Sequence, residues 1–146
     1  GGLQGHESKR LKEDWKTFNI WANAKTGVPF IDANMLELKN TGFMSNRGRQ
    51  NVASYLINDL KVNWQMGAEY FESVLIDYDV TSNWVNWLYI AGVGNDPRDE
   101  RYFNPISQGK RYDPQGEYIK HWLPHLADLS SEEIHEANSH ENPQAH

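Results

Sequence analysis

Apolar residues recur along this chain at helical rather than alternating spacing. Trp15, Phe18 and Trp21 stand at i, i+3 and i+6 on one helical face, and the turn-forming run Thr26-Gly27-Val28-Pro29 breaks that face. A helix follows in which Ile31, Met35 and Leu38 recur at i, i+4 and i+7. Asp32 is predicted to cap it, and Gly42 stands where a left-handed C-terminal glycine belongs. Ser45 is the predicted cap of the next helix. Its first half, Asn46 to Asn51, is polar on all sides, whereas Val52, Tyr55, Leu56 and Leu60 give its second half an apolar stripe. A third periodic segment, about Gln65 to Ile76, carries Met66, Tyr70, Val74 and Leu75 inward, and a fourth begins after Thr81-Ser82 and stops at Gly92-Val93-Gly94. From Asn95 to Arg111 turn signals alternate with Tyr102, Phe103 and Ile106, which predicts packed irregular structure with a short helix. Asp113-Pro114 reads as a cap and first helical residue, opening a helix through Tyr118, Ile119 and Trp122 that Pro124 ends. Ser130-Ser131-Glu132-Glu133 fits a capping box for a last short helix. No alternating strand pattern and no repeat occurs, so the fold class is all-α.

Residues 1–14 are Gly-rich and then charged, without a clear period. Residues 1–20 therefore read as an incomplete lead-in, 21–126 as the helical body and 127–146 as an acidic C-terminal tail. The charge distribution supports that division. The 146 residues carry 14 Lys plus Arg and 20 Asp plus Glu, a net charge of −6. Five of the acids (Asp128, Glu132, Glu133, Glu136 and Glu141) lie after Ala127 with no Lys or Arg among them, so over residues 1–126 fourteen basic residues face fifteen acidic ones. A near-neutral body with a local cluster of arginines can hold phosphates despite the acidic total. Six Trp, seven Tyr and five Phe supply a substantial core. With no cysteine, disulfides, thiolate nucleophiles, iron–sulfur clusters and Cys-type zinc sites are excluded. No apolar run approaches the roughly 20 residues of a membrane span, and GGLQGHESKR has neither a signal-peptide core nor a lipidation motif. The expectation is a soluble protein of the cytoplasm, nucleus or an organelle, with no membrane partner.

Three constellations could carry chemistry. Asn46, Arg49 and Gln50 share one face of the polar helix start, while Arg47 points elsewhere, so one arginine can face a pocket and the other solvent. Arginines in a first helical turn oppose the helix dipole and call for compensation. Asp77 and Asp79, with Tyr78 between them, close the third segment, and Asn83 and Trp87 follow Asp79 at steps of four. Two carboxylates at a helix C-terminus also need partners, which a plain salt bridge or a polar pocket floor would provide. Trp64, Trp84 and Trp87, with Tyr89, form the third group and suit core or interface filling. His121 and His125 have Pro124 between them, and His135-Glu136 followed by His140 misses a metal-binding spacing, so no metal is assigned.

The runs TGFMSNRGRQNVASYL (41–56), NWQMGAEYFESVLIDYDVTSNWVNWLYIAGVGNDPR (63–98) and YDPQGEYIKHWLP (112–124) resemble the C-terminal half of the helical FAD-binding domain of the photolyase and cryptochrome family, and within it most closely the DASH branch. The resemblance covers about Trp21 to His135 nearly without gaps. It implies a domain that holds FAD at the base of a cavity opening on a DNA-binding face. Carried over residue by residue, Arg49 and Asp77 pair beside the flavin ring, Asp79 meets the flavin and ribose region with Tyr78 beside it, and Asn83 stands next to flavin N5. Phe43 and Asn46 line the cofactor cavity. Arg47 contacts DNA phosphate, and Asn46, Gln50 and Tyr89 face the pyrimidine dimer. The implied activity is blue-light repair. A fully reduced flavin gives an electron to a cyclobutane pyrimidine dimer, the ring splits and the electron returns, with Asn83, Arg49 and Asp77 as the catalytic set. The damaged bases must be extruded, as base-flipping enzymes including photolyases do, and single-stranded DNA makes that cheapest.

The same resemblance gives Trp87 and Trp64 as proximal and middle members of an electron relay whose distal position aligns with Leu11, with Trp15 the nearest aromatic. Ala24 stands where the family usually has Gly, Leu36 where it has Arg, and His135-Glu136-Ala137-Asn138 where Pro-Trp normally follows the acid. The N-terminal domain for an antenna pigment, expected to be of folate type, and the early helices of the FAD domain are not in this sequence, so the missing N-terminal part or a complementing chain is an expected partner. The competing readings are a flavin photoreceptor that signals through a partner, and an inactive remnant of a truncated gene.

Overall fold

The computed structural model describes residues 2–76, Asn83, Trp87 and residues 103–139, with the backbone alone for residues 2–11. Every regular element among them is helical. Helix α1 spans Gly2–Ala22, α2 Pro29–Thr41, α3 Asn46–Ser54, α4 Trp64–Val74, α5 Pro105–Tyr112 and α6 Glu117–Trp122. The segment read as a lead-in is thus one helix continuous with Trp21. Between residues 12 and 22 only Phe18, Trp21 and Ala22 are buried, so the helix needs no apolar stripe along that stretch.

The end of α1 explains one oddity of the sequence. Lys25 N–H donates to Ile20 O at 2.8 Å and Ala24 N–H to Trp21 O at 3.1 Å, a Schellman closure with Ala24 at the left-handed position, φ 58°. Only glycine adopts that conformation without steric cost, which for other residues is about 1–2 kcal/mol. Gly42 ends α2 as expected, at φ 74° with its N–H on Leu38 O at 2.8 Å.

Helix α2 lies between two apolar clusters. Ile31, Met35 and Leu38 join Phe18, Trp21, Val52, Leu56, Phe71 and Trp87 in the larger one. Phe30 and Ala33 join Ile119, Leu123, Leu126 and Ile134 in the smaller. Trp21 is the hub of the first: its ring stacks on Phe71 at 6.0 Å, meets Tyr70 edge-on at 5.6 Å, and donates Nε1–H to Val52 O at 3.0 Å, so its one polar group is satisfied.

Asp32 does not cap α2. The helix starts at Pro29, with Val28 before it. Asp32 lies in the first turn, fully buried, and accepts from Thr26 N–H at 3.0 Å, Thr26 Oγ1–H at 2.7 Å, Gly27 N–H at 3.0 Å and the Ser139 hydroxyl. Three further boundaries differ from the sequence reading. The helix capped by Ser45 widens into a π turn over Tyr55–Asp59 and closes at Lys61, φ 59°. Asp113 does not sit at the start of α6. Gly116 occupies the cap at φ 72°, and Asp113 accepts from Tyr118 N–H and Ile119 N–H at 3.1 and 3.0 Å across the intervening turn. The capping box at Ser130 forms, with Glu133 N–H on Ser130 Oγ at 3.1 Å, but turns follow it rather than a helix.

Candidate functional site

The polar start of α3 places its arginines on opposite duties. Ser45 caps the helix by accepting from Gly48 N–H at 3.0 Å. Close approach fixes the next turn: a Cβ on Gly48 would fall 2.9 Å from Met44 Cγ and 3.1 Å from Asn34 Cγ, so α3 rests at that point directly on Met44 and on Asn34 of α2. With the backbone held there, Arg49 turns inward, half-buried, and donates Nε–H to Met44 O at 2.9 Å. Arg47 stays exposed, as do Asn46 and Gln50.

Among the described residues, what meets Arg47 is aromatic rather than acidic. Its guanidinium lies 4.8 Å from the ring centroid of Tyr112 and 5.9 Å from that of Phe103. Both rings bracket α5, more than fifty residues away in sequence, so no local pattern announces the contact. The only sequence signal was an aromatic next to a cation in Lys110-Arg111-Tyr112. Asn51 ties the same elements together, donating Nδ2–H to Arg47 O at 2.9 Å and to Gln108 Oε1 at 3.3 Å.

Phe43 follows Gly42 and is half exposed, its N–H held by Thr41 Oγ1 at 3.1 Å. Ile76 N–H donates to Gly42 O at 2.9 Å, which brings the chain after α4 against the turn before α3, and the Ile76 side chain is almost fully exposed. Two large apolar side chains thus stand open beside an electropositive helix start. Half-buried Asn83 donates Nδ2–H to Ala68 O of α4 at 3.1 Å. Trp87 is buried and packs edge-on against Phe71 at 5.0 Å and Trp21 at 6.3 Å. Trp64 opens α4, half-buried, after the cap Asn63. Asp77, Tyr78, Asp79 and Tyr89 lie outside the described residues. Among the described residues no group of three or more His, Asp or Glu side chains is placed to hold a metal ion, and no helix is long and apolar enough to cross a membrane.

The family profile described as "FAD binding domain of DNA photolyase" matches residues 3–146. A cryptochrome DASH from Gloeobacter violaceus is 62% identical over 135 residues, which cover 92% of this chain and 27% of that protein. The crystal structure of a Synechocystis cryptochrome superposes with a TM-score of 0.77 at 61% identity, over 81% of this chain and 24% of the other. A bacterial class III photolyase from Agrobacterium tumefaciens gives 0.77 at 41% identity, over 84% and 26%. The helical fold agrees with these matches. The chain belongs to the photolyase and cryptochrome family, and it spans about a quarter of the length of the relatives it matches.

The chemical types among the described residues are those a flavin site uses. Arg49 and the N-terminal end of α3 supply positive charge for an anionic ring or phosphate, Asn46 and Asn83 supply amides, and Phe43 and Ile76 offer open apolar surface to an aromatic ring system.

Proposed function

We propose that this chain is the C-terminal part of the FAD-binding domain of a DASH-type photolyase, which in the company of its N-terminal part splits cyclobutane pyrimidine dimers in single-stranded DNA under blue light. The observation that carries the reading is the division of labour at the start of α3. One helical turn sends Arg49 inward and leaves Arg47 outside as an exposed cation. A protein that must hold an anionic cofactor on one side of a wall and a nucleic acid on the other requires such a pair.

When bound, the flavin supplies the light-driven electron for ring splitting. The chain's own residues bind, orient and stabilise. Arg49, paired with Asp77, places its guanidinium beside the reduced ring, Asp79 meets the flavin and ribose region, and Asn46 and Phe43 line the cavity with Tyr78. Asn83, whose Nδ2 donates to the Ala68 carbonyl, would hold the ring edge beside N5. Arg47 holds a phosphate, while Gln50 and Tyr89 form the wall that receives the extruded dimer. Trp87 and Trp64 carry electrons toward the flavin from the protein's exterior.

The test is flavin retention. The purified chain is mixed with excess FAD and gel-filtered, alone and with the N-terminal portion of a DASH relative supplied in trans. Flavin retained with the complement, followed by light-dependent loss of dimers from a thymine-dimer oligonucleotide, supports the reading; no retention in either mixture overturns it.

A further inference from the structure

Two guanidiniums meet one exposed ring at the end of α5. Arg47 lies 4.8 Å from the Tyr112 centroid and Arg111 lies 5.3 Å from it. Tyr112 is 43% exposed, and both arginines are exposed. Among the described residues no carboxylate pairs with either arginine, whereas the adjacent cation Lys110 is neutralised by Glu136 at 3.2 Å.

A ring contact of this kind fixes a guanidinium without neutralising it. The quadrupole of the ring attracts the cation, but the N–H donors at the guanidinium edge remain free for an anion. Bringing two like charges to one ring is unfavourable unless something negative joins them. Uncompensated guanidiniums beside an exposed aromatic platform are the chemistry by which proteins follow a single nucleic-acid strand, with cations on phosphate oxygens and rings as supports.

We infer that Tyr112 is a positioning residue that orients Arg47 and Arg111 as a pair on the phosphates of a single DNA strand. The inference rests on the proposed role of Arg47 and adds to it a second phosphate contact and the ring that sets both. Phe103, at 5.9 Å from Arg47, limits how far that guanidinium swings away from Tyr112.

The experiment is fluorescence anisotropy of a labelled oligothymidylate binding to the chain across a range of salt concentrations, with far-UV circular dichroism confirming helix content in each variant. Arg47→Ala is expected to weaken binding roughly fivefold at low salt and to reduce the salt slope by about 0.7, the value of one lost single-strand phosphate contact. Tyr112→Leu is expected to weaken binding at least as much and to lower the slope by up to about 1.4, because it unseats both arginines. Tyr112→Phe, which keeps the ring, is expected to bind as the parent does, and Tyr112→Gln serves as a second ring-free variant if the Leu substitution disturbs folding. Added to Arg47→Ala/Arg111→Ala, Tyr112→Leu is expected to change nothing further. If it weakens binding equally in that background, the ring touches DNA itself and the positioning role is wrong. If Arg47→Ala weakens binding but the ring-free variants do not, the inference fails and the DNA-binding role of Arg47 stands. If none of the substitutions matters, both fail.

Discussion

The indole of Trp87 lies on the backbone of α4 at Gly67, where an added Cβ would come 2.6 Å from Cζ3 and 2.8 Å from Leu56 Cδ2. Helix α4 therefore has no side chain at that point because a buried ring occupies the space. Alanine raises helix propensity by about 1 kcal/mol over glycine, yet neither a fully packed indole nor the adjoining leucine can retreat. Gly67→Ala is expected to destabilise the protein by roughly 1–3 kcal/mol, read as a lowered urea midpoint followed by tryptophan fluorescence.

Asn83 joins the same surface of α4 through the Ala68 carbonyl. Asn83→Ala removes one part-buried hydrogen bond, worth about 1 kcal/mol, which the fold absorbs. In the FAD-loaded protein its effect is expected to fall on light-driven dimer repair, by tenfold or so, while flavin content stays within about twofold. Parallel loss of flavin and repair in a repair assay normalised to bound FAD would assign Asn83 a structural role instead.

Asp32 is a buried carboxylate whose four donors come from Thr26, Gly27 and Ser139. Removing it leaves several buried donors without an acceptor. Asp32→Ala is expected to cost about 3–4 kcal/mol of unfolding free energy, and Ser139→Ala about 1–2 kcal/mol, since only one donor is lost. Chemical denaturation of the two variants and their combination checks this, and the combined loss is expected to match that of Asp32→Ala alone, because the two residues share one network.

Tyr118 gives a prediction in pH. Its hydroxyl stands 3.0 Å from Glu37 Oε1 and 3.2 Å from Asn34 Oδ1, and burial, reinforced by the Glu37 carboxylate, holds the phenol well above its ordinary range. The folded state thus favours the protonated phenol more than the unfolded state does. Its contribution is fully present below the unfolded pKa of roughly 10 and is lost above it, at up to about 1.4 kcal/mol per pH unit. The urea midpoint is expected to fall between pH 9 and 11, and Tyr118→Phe to flatten that fall. Tyr70, raised in the same direction by burial, leaves a residual slope.

Much of this fold is legible in the chain because its signals are local. Gly42 and Ser45 announce a helix end and a helix start within four residues of each other, and both perform those tasks. The 3.6-residue spacing of Ile31, Met35 and Leu38 marks the inner face of α2 for the same reason. What misled was a local pattern with a distant purpose. Asp32 stands ahead of an apolar run, as a cap does, but Pro29 had already begun the helix and one of the donors to its carboxylate lies at Ser139. Ala24 conceals a left-handed position because the glycine that would advertise it is absent. At the candidate site, the opposite facing of Arg47 and Arg49 follows from helix geometry alone. The rings that hold Arg47 do not, since Phe103 and Tyr112 reach it only through the packing of α5 against α3.

The bond between Ser139 and Asp32 joins positions 107 residues apart. During synthesis on a ribosome, α2 emerges long before the hydroxyl that completes the shell around its buried carboxylate, and before Ile119, Leu126 and Ile134, which cover its second face. Until that last stretch leaves the exit tunnel, one side of α2 stays wet and the carboxylate keeps water as a partner. The second cluster is therefore a late event in the life of each molecule, and a nascent chain halted before residue 130 exposes Phe30 and Ala33 to whatever chaperone attends it.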